Sequence, residues 1–226
     1  MKKVAAVIPA YEAASCVGEV VRRTLVYFPE LLVVDDGSGD GTADAARAAG
    51  ARVISQSANF GKGRALRTAF EDLFPRGYDA VLTLDADGQH LPEEIPALLA
   101  ACEEGADLVL GTRDHLFRAM SKLRRTSNRL SSGAISFVAG TPLSDVQTGF
   151  RVYSKQLIDA TGFPETRFEA ESAVVVRAAR MHFRIVCVPI QLGFADGRAC
   201  SHYRPVIDSL RIASAVARAR LDREHS

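Results

Sequence analysis

The sequence predicts an α/β fold: one domain with a mainly parallel central sheet and helices on both faces. Three observations point there. Through the first 111 residues, short apolar runs alternate with longer stretches of helical periodicity, as expected when crossover helices link parallel strands. A chain of 226 residues, 47% of them hydrophobic, can bury one sizeable core. No repeat, low-complexity tract or linker divides it.

Val4 to Ile8 reads as the first strand. The helix after it sets Val17, Val20, Val21, Thr24 and Phe28 on one face at a period of 3.6. Leu31 to Val34 is the second strand, Thr42 to Ala49 a short helix, and Arg52 to Ser55 the third strand. A helix over Lys62 to Phe74 offers Ala65, Leu66, Ala69, Phe70 and Leu73 as its buried stripe. Ala80 to Leu84 is the fourth strand, Glu93 to Glu104 a helix behind Pro92, and Leu108 to Gly111 the fifth strand. Beyond Gly111 the rhythm breaks. Residues 113–139 read as one or two helices, Phe150 to Ser154 as a strand and Glu169 to Met181 as a helix. Ile185 to Phe194 reads as two short strands around Pro189, and Arg204 to Leu221 as a closing amphipathic helix.

Twenty-eight basic and 27 acidic side chains leave a net charge of +1. That balance provides no global field for gathering nucleic acid, which is excluded as an expected partner. Cys16, Cys102, Cys187 and Cys200 form no CxxC pair, so free thiols in a reducing compartment are expected rather than disulfides or a zinc site. No window approaches the roughly 18 to 20 apolar residues of a spanning helix. The N-terminus enters a strand-like run rather than a signal peptide. The expected location is the cytoplasm, at most peripheral at the inner face of the membrane.

Asp85-Ala86-Asp87 follows the fourth strand directly. A strand ending there delivers both acids to the carboxyl edge of the sheet, where open α/β folds hold their ligands. Side chains two apart on a strand share a face, so both carboxylates can reach one hard cation. Two like charges that close are costly unless a metal or protons neutralise them; the competing reading is an acidic loop in water. Gln89 can offer a carbonyl oxygen to the same ion, whereas His90 suits a supporting role better. An EF-hand is excluded: counted from Asp85 or Asp35, loop position twelve falls on Pro96 or Ala46 instead of glutamate.

The loop Asp35 to Thr42 opens a helix after the second strand. Its acids would repel a pyrophosphate, but Asp36 suits a base N–H or a ribose hydroxyl, while Asp40 and Thr42 cap the helix. In Asn59-Phe60-Gly61-Lys62-Gly63 the lysine stands at a helix N-terminus, either meeting a nucleotide's phosphates or solvated; the Walker serine or threonine is missing. Arg113, Arg118, Lys122, Arg124, Arg125 and Arg129 face one acid, Asp114, and are interleaved with Leu116, Phe117, Met120, Leu123 and Leu130. This segment is either a solvated face or an interfacial helix with cations for lipid phosphates. In Asp145 to Arg151, Asp145 is a candidate general base, and Arg151 an anion ligand or the partner of a carboxylate. Glu169 and Glu171 are accounted for by charge at a helix N-terminus. Ser201-His202-Tyr203-Arg204 is a cap and turn, or a group that closes over phosphates.

Taken in order, these stretches resemble a family 2 inverting glycosyltransferase of the GT-A, Rossmann-like fold, in particular its polyprenyl-phosphate (dolichol-phosphate mannose synthase-like) branch. The matching residues are Val7 to Glu12, Asp35 to Thr42, Asn59 to Ala65, Leu84 to His90 with Pro92, Gly111 to Arg113, Asp145 to Arg151 and Ser201 to Arg204. The resemblance implies a nucleotide-sugar donor, UDP- or GDP-linked, whose base and ribose are held by Pro9, Tyr11, Glu12 and Asp36, with Lys62 beside it. It implies Mg²⁺ or Mn²⁺ on Asp85 and Asp87, helped by Gln89. Arg113, with Arg125 or Arg129, receives the acceptor's phosphate, and Arg204 closes over it. The catalytic set is then Asp87, Asp145 and Arg151, with Asp145 acting as base where the acceptor is a hydroxyl. The acceptor is a polyprenyl phosphate or a cell-envelope glycan precursor. Residues 1–111 form the donor half and 112–226 the acceptor half of the one domain. Gly197-Arg198-Ala199-Cys200 matches the family's closing loop only approximately. A sugar-phosphate nucleotidylyltransferase would open with an arginine-bearing glycine loop instead of Ile8-Pro9-Ala10-Tyr11-Glu12, and a non-catalytic nucleotide-binding scaffold would not need both acids.

Overall fold

The inner strands of the first half are apolar at successive positions because both of their faces are covered. The computed structural model describes residues 1–113 and 148–193, together with 133, 136, 143, 146 and 214. In strand β1 (Val4–Ala10), Ala5 and Val7 enter one core while Ala6, Ile8 and Ala10 enter the other. Strand β2 (Leu31–Asp35) divides in the same way, Leu32 and Val34 against Leu31 and Val33. Helices α1 (Val17–Thr24), α2 (Thr42–Ala48) and α4 (Ile95–Glu103) cover the second core. Helix α3 (Lys62–Leu73) covers the first with its expected stripe Ala65, Leu66, Ala69, Phe70 and Leu73. Phe70 stacks on Phe74 at 5.6 Å between ring centroids and meets Phe163 edge-on at 5.2 Å.

The remaining strands are β3 (Arg52–Ser55), β4 (Ala80–Thr83), β5 (Leu108–Thr112), β6 (Arg151–Ser154) and β7 (Ile185–Pro189). They form one seven-stranded sheet in the order β3-β2-β1-β4-β6-β5-β7. All described pairings are parallel except those of β6, which runs antiparallel between β4 and β5. The expected α/β class with a mainly parallel sheet therefore holds, and a strand from beyond residue 150 is built into its middle.

Three local expectations are corrected. Lys155–Thr161 forms a short helix, α5, where no element was expected; Ser154 caps it by accepting a hydrogen bond from Leu157 N at 3.1 Å. The segment from Ile185 holds one strand, not two, since after Pro189 the chain makes a single bridge between Leu192 and His90. Cys16 is disulfide-bonded rather than a free thiol, whereas Cys102 and Cys187 are free. Helix α6 (Glu169–Arg180) follows its expected range closely and packs Ala170, Ala173, Val174 and Val175 into the core beneath α3. The expected helices over 113–139 and Arg204 to Leu221 lie outside the described residues, apart from single positions. Among the described residues, no helix is long and apolar enough to cross a membrane.

The topology fixes where a ligand can sit. From β1 the chain builds outward through β2 and β3, then returns to β4 on the other side of β1. The carboxyl ends of β1 and β4 thus flank the switch point, where a crevice opens. Because β6 runs the other way, the residues leading into it reach that same edge.

Candidate active site

On the β2 side of the crevice, the loops are tied together by their own polar groups. Asp36 accepts hydrogen bonds from Phe60 N at 2.9 Å and Gly61 N at 2.7 Å, so it caps helix α3. Burial pushes its carboxyl up, against the opposing pull of those two N–H groups and of Arg167. Gly61 has φ +101°, and a Cβ on it would lie 2.6 Å from Thr166 O, so the turn needs glycine on both counts. At the end of β1 Pro9 is buried, and after the strand Tyr11 is partly exposed and Glu12 exposed. Glu12 holds a left-handed φ of +46°, fixed by Ser38 Oγ, which accepts its N–H at 2.8 Å. A non-glycine residue kept there carries backbone strain of the kind that collects at ligand sites. Asp40 accepts the N–H groups of Ala14 and Thr42, each at 3.0 Å, which is the expected capping role.

Across the crevice, the two acids are in different situations. Asp85 Oδ1 lies 2.6 Å from Lys62 Nζ, and Oδ2 lies 3.7 Å from Nδ1 of the buried His90. Lys62 also meets Glu171 Oε2 at 2.9 Å. Burial alone would lower the lysine's pKa, but the charges of Asp85 and Glu171 outweigh it and hold the ammonium ionised. Asp85 is itself held down to about 2: burial works the other way, and Lys62 and then His90 overcome it. Gly149 closes this corner, since a Cβ there would stand 2.3 Å from Asp85 Oδ2; only a bare backbone fits.

Asp87 has far less support. Its Oδ1 accepts Gln89 N at 3.0 Å, and burial and the charge of Asp85 push its carboxyl pKa up. Arg113, partly exposed, counteracts this at both acids.

The Asp85 pair makes stability pH-dependent with a definite sign. Its folded pKa lies below the unfolded one, so between about pH 4 and 2 the unfolded chain binds more protons. The contribution is complete above about pH 4 and lost as the pH falls towards 2. Asp85→Asn is expected to flatten this part of the curve, read as the urea midpoint against pH.

Arg151 departs from one of its two expected roles. It is wholly buried and donates to Thr148 O at 2.7 Å, Val146 O at 2.7 Å and Glu171 O at 2.6 Å, with Glu171 Oε1 3.8 Å from its Nε. Every face of the guanidinium is turned to the protein. It is therefore the partner of a carboxylate and a strut beneath the site, not an anion ligand or a catalytic group. Asp145, Arg125, Arg129 and Arg204 lie outside the described residues. The structure brings together Asp85, Asp87, Gln89, Lys62 and Arg113 on one side of the crevice and Pro9, Tyr11, Glu12 and Asp36 on the other.

Glu171 was read as a helix-terminal charge and is instead a buried counter-ion, 4% exposed. Glu169 remains a partly exposed acid of the first turn and accepts Arg167 N, ahead of the helix, at 3.3 Å. The available signal was its setting: an acid inside the apolar run Ala170 to Val176.

The residues at the acid pair suit a hard divalent ion. Asp87 keeps an oxygen that accepts no hydrogen bond from a described residue, and Gln89, whose backbone N–H meets the other oxygen, carries a side-chain carbonyl as a further donor. Burial, and then the charge of Asp85, raise the Asp87 carboxyl pKa, and a cation bound there would oppose both. Both donors are oxygens, as Mg²⁺ and Mn²⁺ prefer. Among the described residues no group of three or more His, Cys, Asp or Glu could hold a metal alone. Such an ion would need further oxygens from a substrate, the usual state of Mg²⁺ at phosphates. Asp85, engaged by Lys62, would steady the site from beneath.

The model of the family described as Glycosyl transferase family 2 matches residues 5–162. The chain is 33% identical over 184 residues to glycosyltransferase AglJ of Haloferax volcanii, covering 80% of this chain and 60% of that protein. It is 35% identical over 172 residues to the undecaprenyl-phosphate 4-deoxy-4-formamido-L-arabinose transferase of Klebsiella pneumoniae, covering 71% and 51%. The matched part is thus 60% of the first relative's length and 51% of the second's. Among solved structures, glucosyl-3-phosphoglycerate synthase of Mycobacterium tuberculosis in complex with Mn²⁺, UDP and phosphoglyceric acid is similar with a TM-score of 0.77 at 19% identity, over 99% of this chain and 80% of that one. Mannosyl-3-phosphoglycerate synthase of Rubrobacter xylanophilus is similar at 0.73 and 21% identity, over 96% and 72%. At these identities the likeness is one of fold, the GT-A arrangement.

Proposed function

The chain belongs to glycosyl transferase family 2, and from that premise we propose that it is a glycosyltransferase that moves a sugar from a nucleotide-sugar donor, UDP- or GDP-linked, to an acceptor phosphate, in a divalent-ion-dependent displacement that inverts the anomeric carbon. The observation that carries the reading is the crevice corner where Lys62 meets Asp85 at 2.6 Å while Asp87 keeps an open oxygen beside it. A diphosphate fits there because it satisfies the lysine and completes an ion's oxygen shell. Pro9, Tyr11, Glu12 and Asp36 shape the end that takes base and ribose. Asp87 and Gln89 would hold Mg²⁺ or Mn²⁺, and the ion would supply positive charge against the leaving nucleoside diphosphate.

Residues 1–111 are the donor half and 112–226 the acceptor half. The acceptor is a polyprenyl phosphate or a cell-envelope glycan precursor. Support comes from the Klebsiella relative, whose name specifies undecaprenyl phosphate, and from the basic, apolar-interleaved stretch that Arg113 opens. Arg113 receives the acceptor's phosphate, with Arg125, Arg129 and Arg204 assigned to it from sequence. A lipid phosphate is already an anionic nucleophile and needs little base catalysis; Asp145 is the base if a hydroxyl attacks. The protein then works at the inner face of the membrane as a peripheral enzyme.

The test is incubation with UDP- and GDP-sugars, Mn²⁺ and a polyprenyl phosphate, following released nucleoside diphosphate and the anomeric configuration of the product. Release that requires the lipid phosphate, stops in EDTA and gives the inverted product is expected. Retained configuration or full activity in EDTA contradicts the reading. Nucleotide binding without turnover favours the scaffold.

A further inference from the structure

We propose that Glu171 is a positioning residue of the transfer site: braced by Arg151 from beneath, it fixes the Lys62 ammonium beside Asp85 and so prepares the lysine for the donor's diphosphate. The proposal rests on the reading of the crevice as a nucleotide-sugar site.

Glu171 lies in the first turn of α6, on the core side, next to Ala170 and Ala173. A carboxylate 4% exposed in such surroundings is a poor stabilising device, because desolvation consumes most of what its ion pairs return. Yet both of its oxygens face cations, Oε2 at 2.9 Å from Lys62 Nζ and Oε1 at 3.8 Å from Arg151 Nε. Arg151 has no slack, since three backbone carbonyls hold it. A chain of charge thus runs from Arg151 through Glu171 and Lys62 to the acid pair, and the hydrogen bond from Arg151 to the Glu171 carbonyl at 2.6 Å fixes the glutamate's backbone.

The consequence falls on Lys62. Its four-carbon stem has many rotamers, and a single anion would let the ammonium swing about that contact. Two anions on different elements, Asp85 after β4 and Glu171 on α6, triangulate it. An ammonium has three N–H donors, so one is left for a phosphate oxygen. A donor meeting this lysine finds it already ordered, and the ordering entropy is not charged to binding.

The test is a double-mutant cycle with Glu171→Gln and Lys62→Met, reading the affinity of UDP and of GDP with Mn²⁺ by calorimetry, and KM against kcat in turnover. With Lys62 present, Glu171→Gln is expected to weaken nucleotide binding about tenfold, and in the Lys62→Met background less than about twofold. Donor KM should rise while acceptor KM stays unmoved. Equal losses in both backgrounds, no loss, or donor and acceptor KM moving together overturn the proposal and leave the site reading standing. If Glu171→Gln does not fold, Glu171→Asp, which keeps the charge but falls short of Lys62, runs the same cycle with the same criteria. If the wild type binds neither nucleotide with Mn²⁺, the site reading fails and the proposal fails with it, an outcome seen in the wild type alone.

Discussion

Asp87→Asn is expected to cut sugar transfer about a thousandfold while leaving the protein at least as stable as the wild type. The two effects have one origin. Burial and the neighbouring Asp85 charge push the Asp87 carboxyl pKa up, so its ionised form is the costly one in the folded state. Asparagine removes that cost at neutral pH and keeps an oxygen to accept Gln89 N. It also removes the charge an ion would need. Thermal melting and transfer with Mn²⁺ on the same preparation check both halves. Turnover near the wild-type rate would remove Asp87 from the chemistry, and a large drop in melting temperature would make it structural.

Arg151→Met should do the reverse, costing about 3 to 5 kcal/mol of stability. The substitution strips the carbonyls of Val146, Thr148 and Glu171 of their donors, all buried around the missing guanidinium, and leaves the Glu171 carboxylate with Lys62 as its one cation. Urea unfolding should show a clearly lower midpoint. A variant of normal stability whose only defect is a raised acceptor KM would restore Arg151 as an anion ligand.

Of the first five strands, β1, β2, β4 and β5 were legible because each is covered on both faces and reads as an apolar run, with ends misplaced by a residue or two, as at Leu84 and Thr112. Periodicity tells that a segment is a strand but not which neighbour it joins, so the place and direction of β6 were hidden. Helix α5 was missed because seven residues with Leu157, Ile158 and Thr161 inward are too few to establish a period. Of the site, the acid pair was legible from spacing alone. Its asymmetry was not, because Lys62 reaches Asp85, and Glu171 reaches Lys62, from distant parts of the chain. For the same reason Arg151, conspicuous as a cation in a motif, could not be distinguished from a ligand without its acceptors in view.

The insertion of β6 also constrains how the molecule is made. During vectorial synthesis, the emerging chain can assemble β3-β2-β1-β4 as a continuous half-sheet as soon as β4 has left the ribosome. Strand β5 follows directly in sequence, yet its neighbours in the finished sheet are β6 and β7, so it waits without a partner until much later residues appear. Until then β4 presents a bare, pairing-competent edge, and the nascent protein passes through a stage in which the carboxylates past that strand exist but the glycine that seals their corner does not.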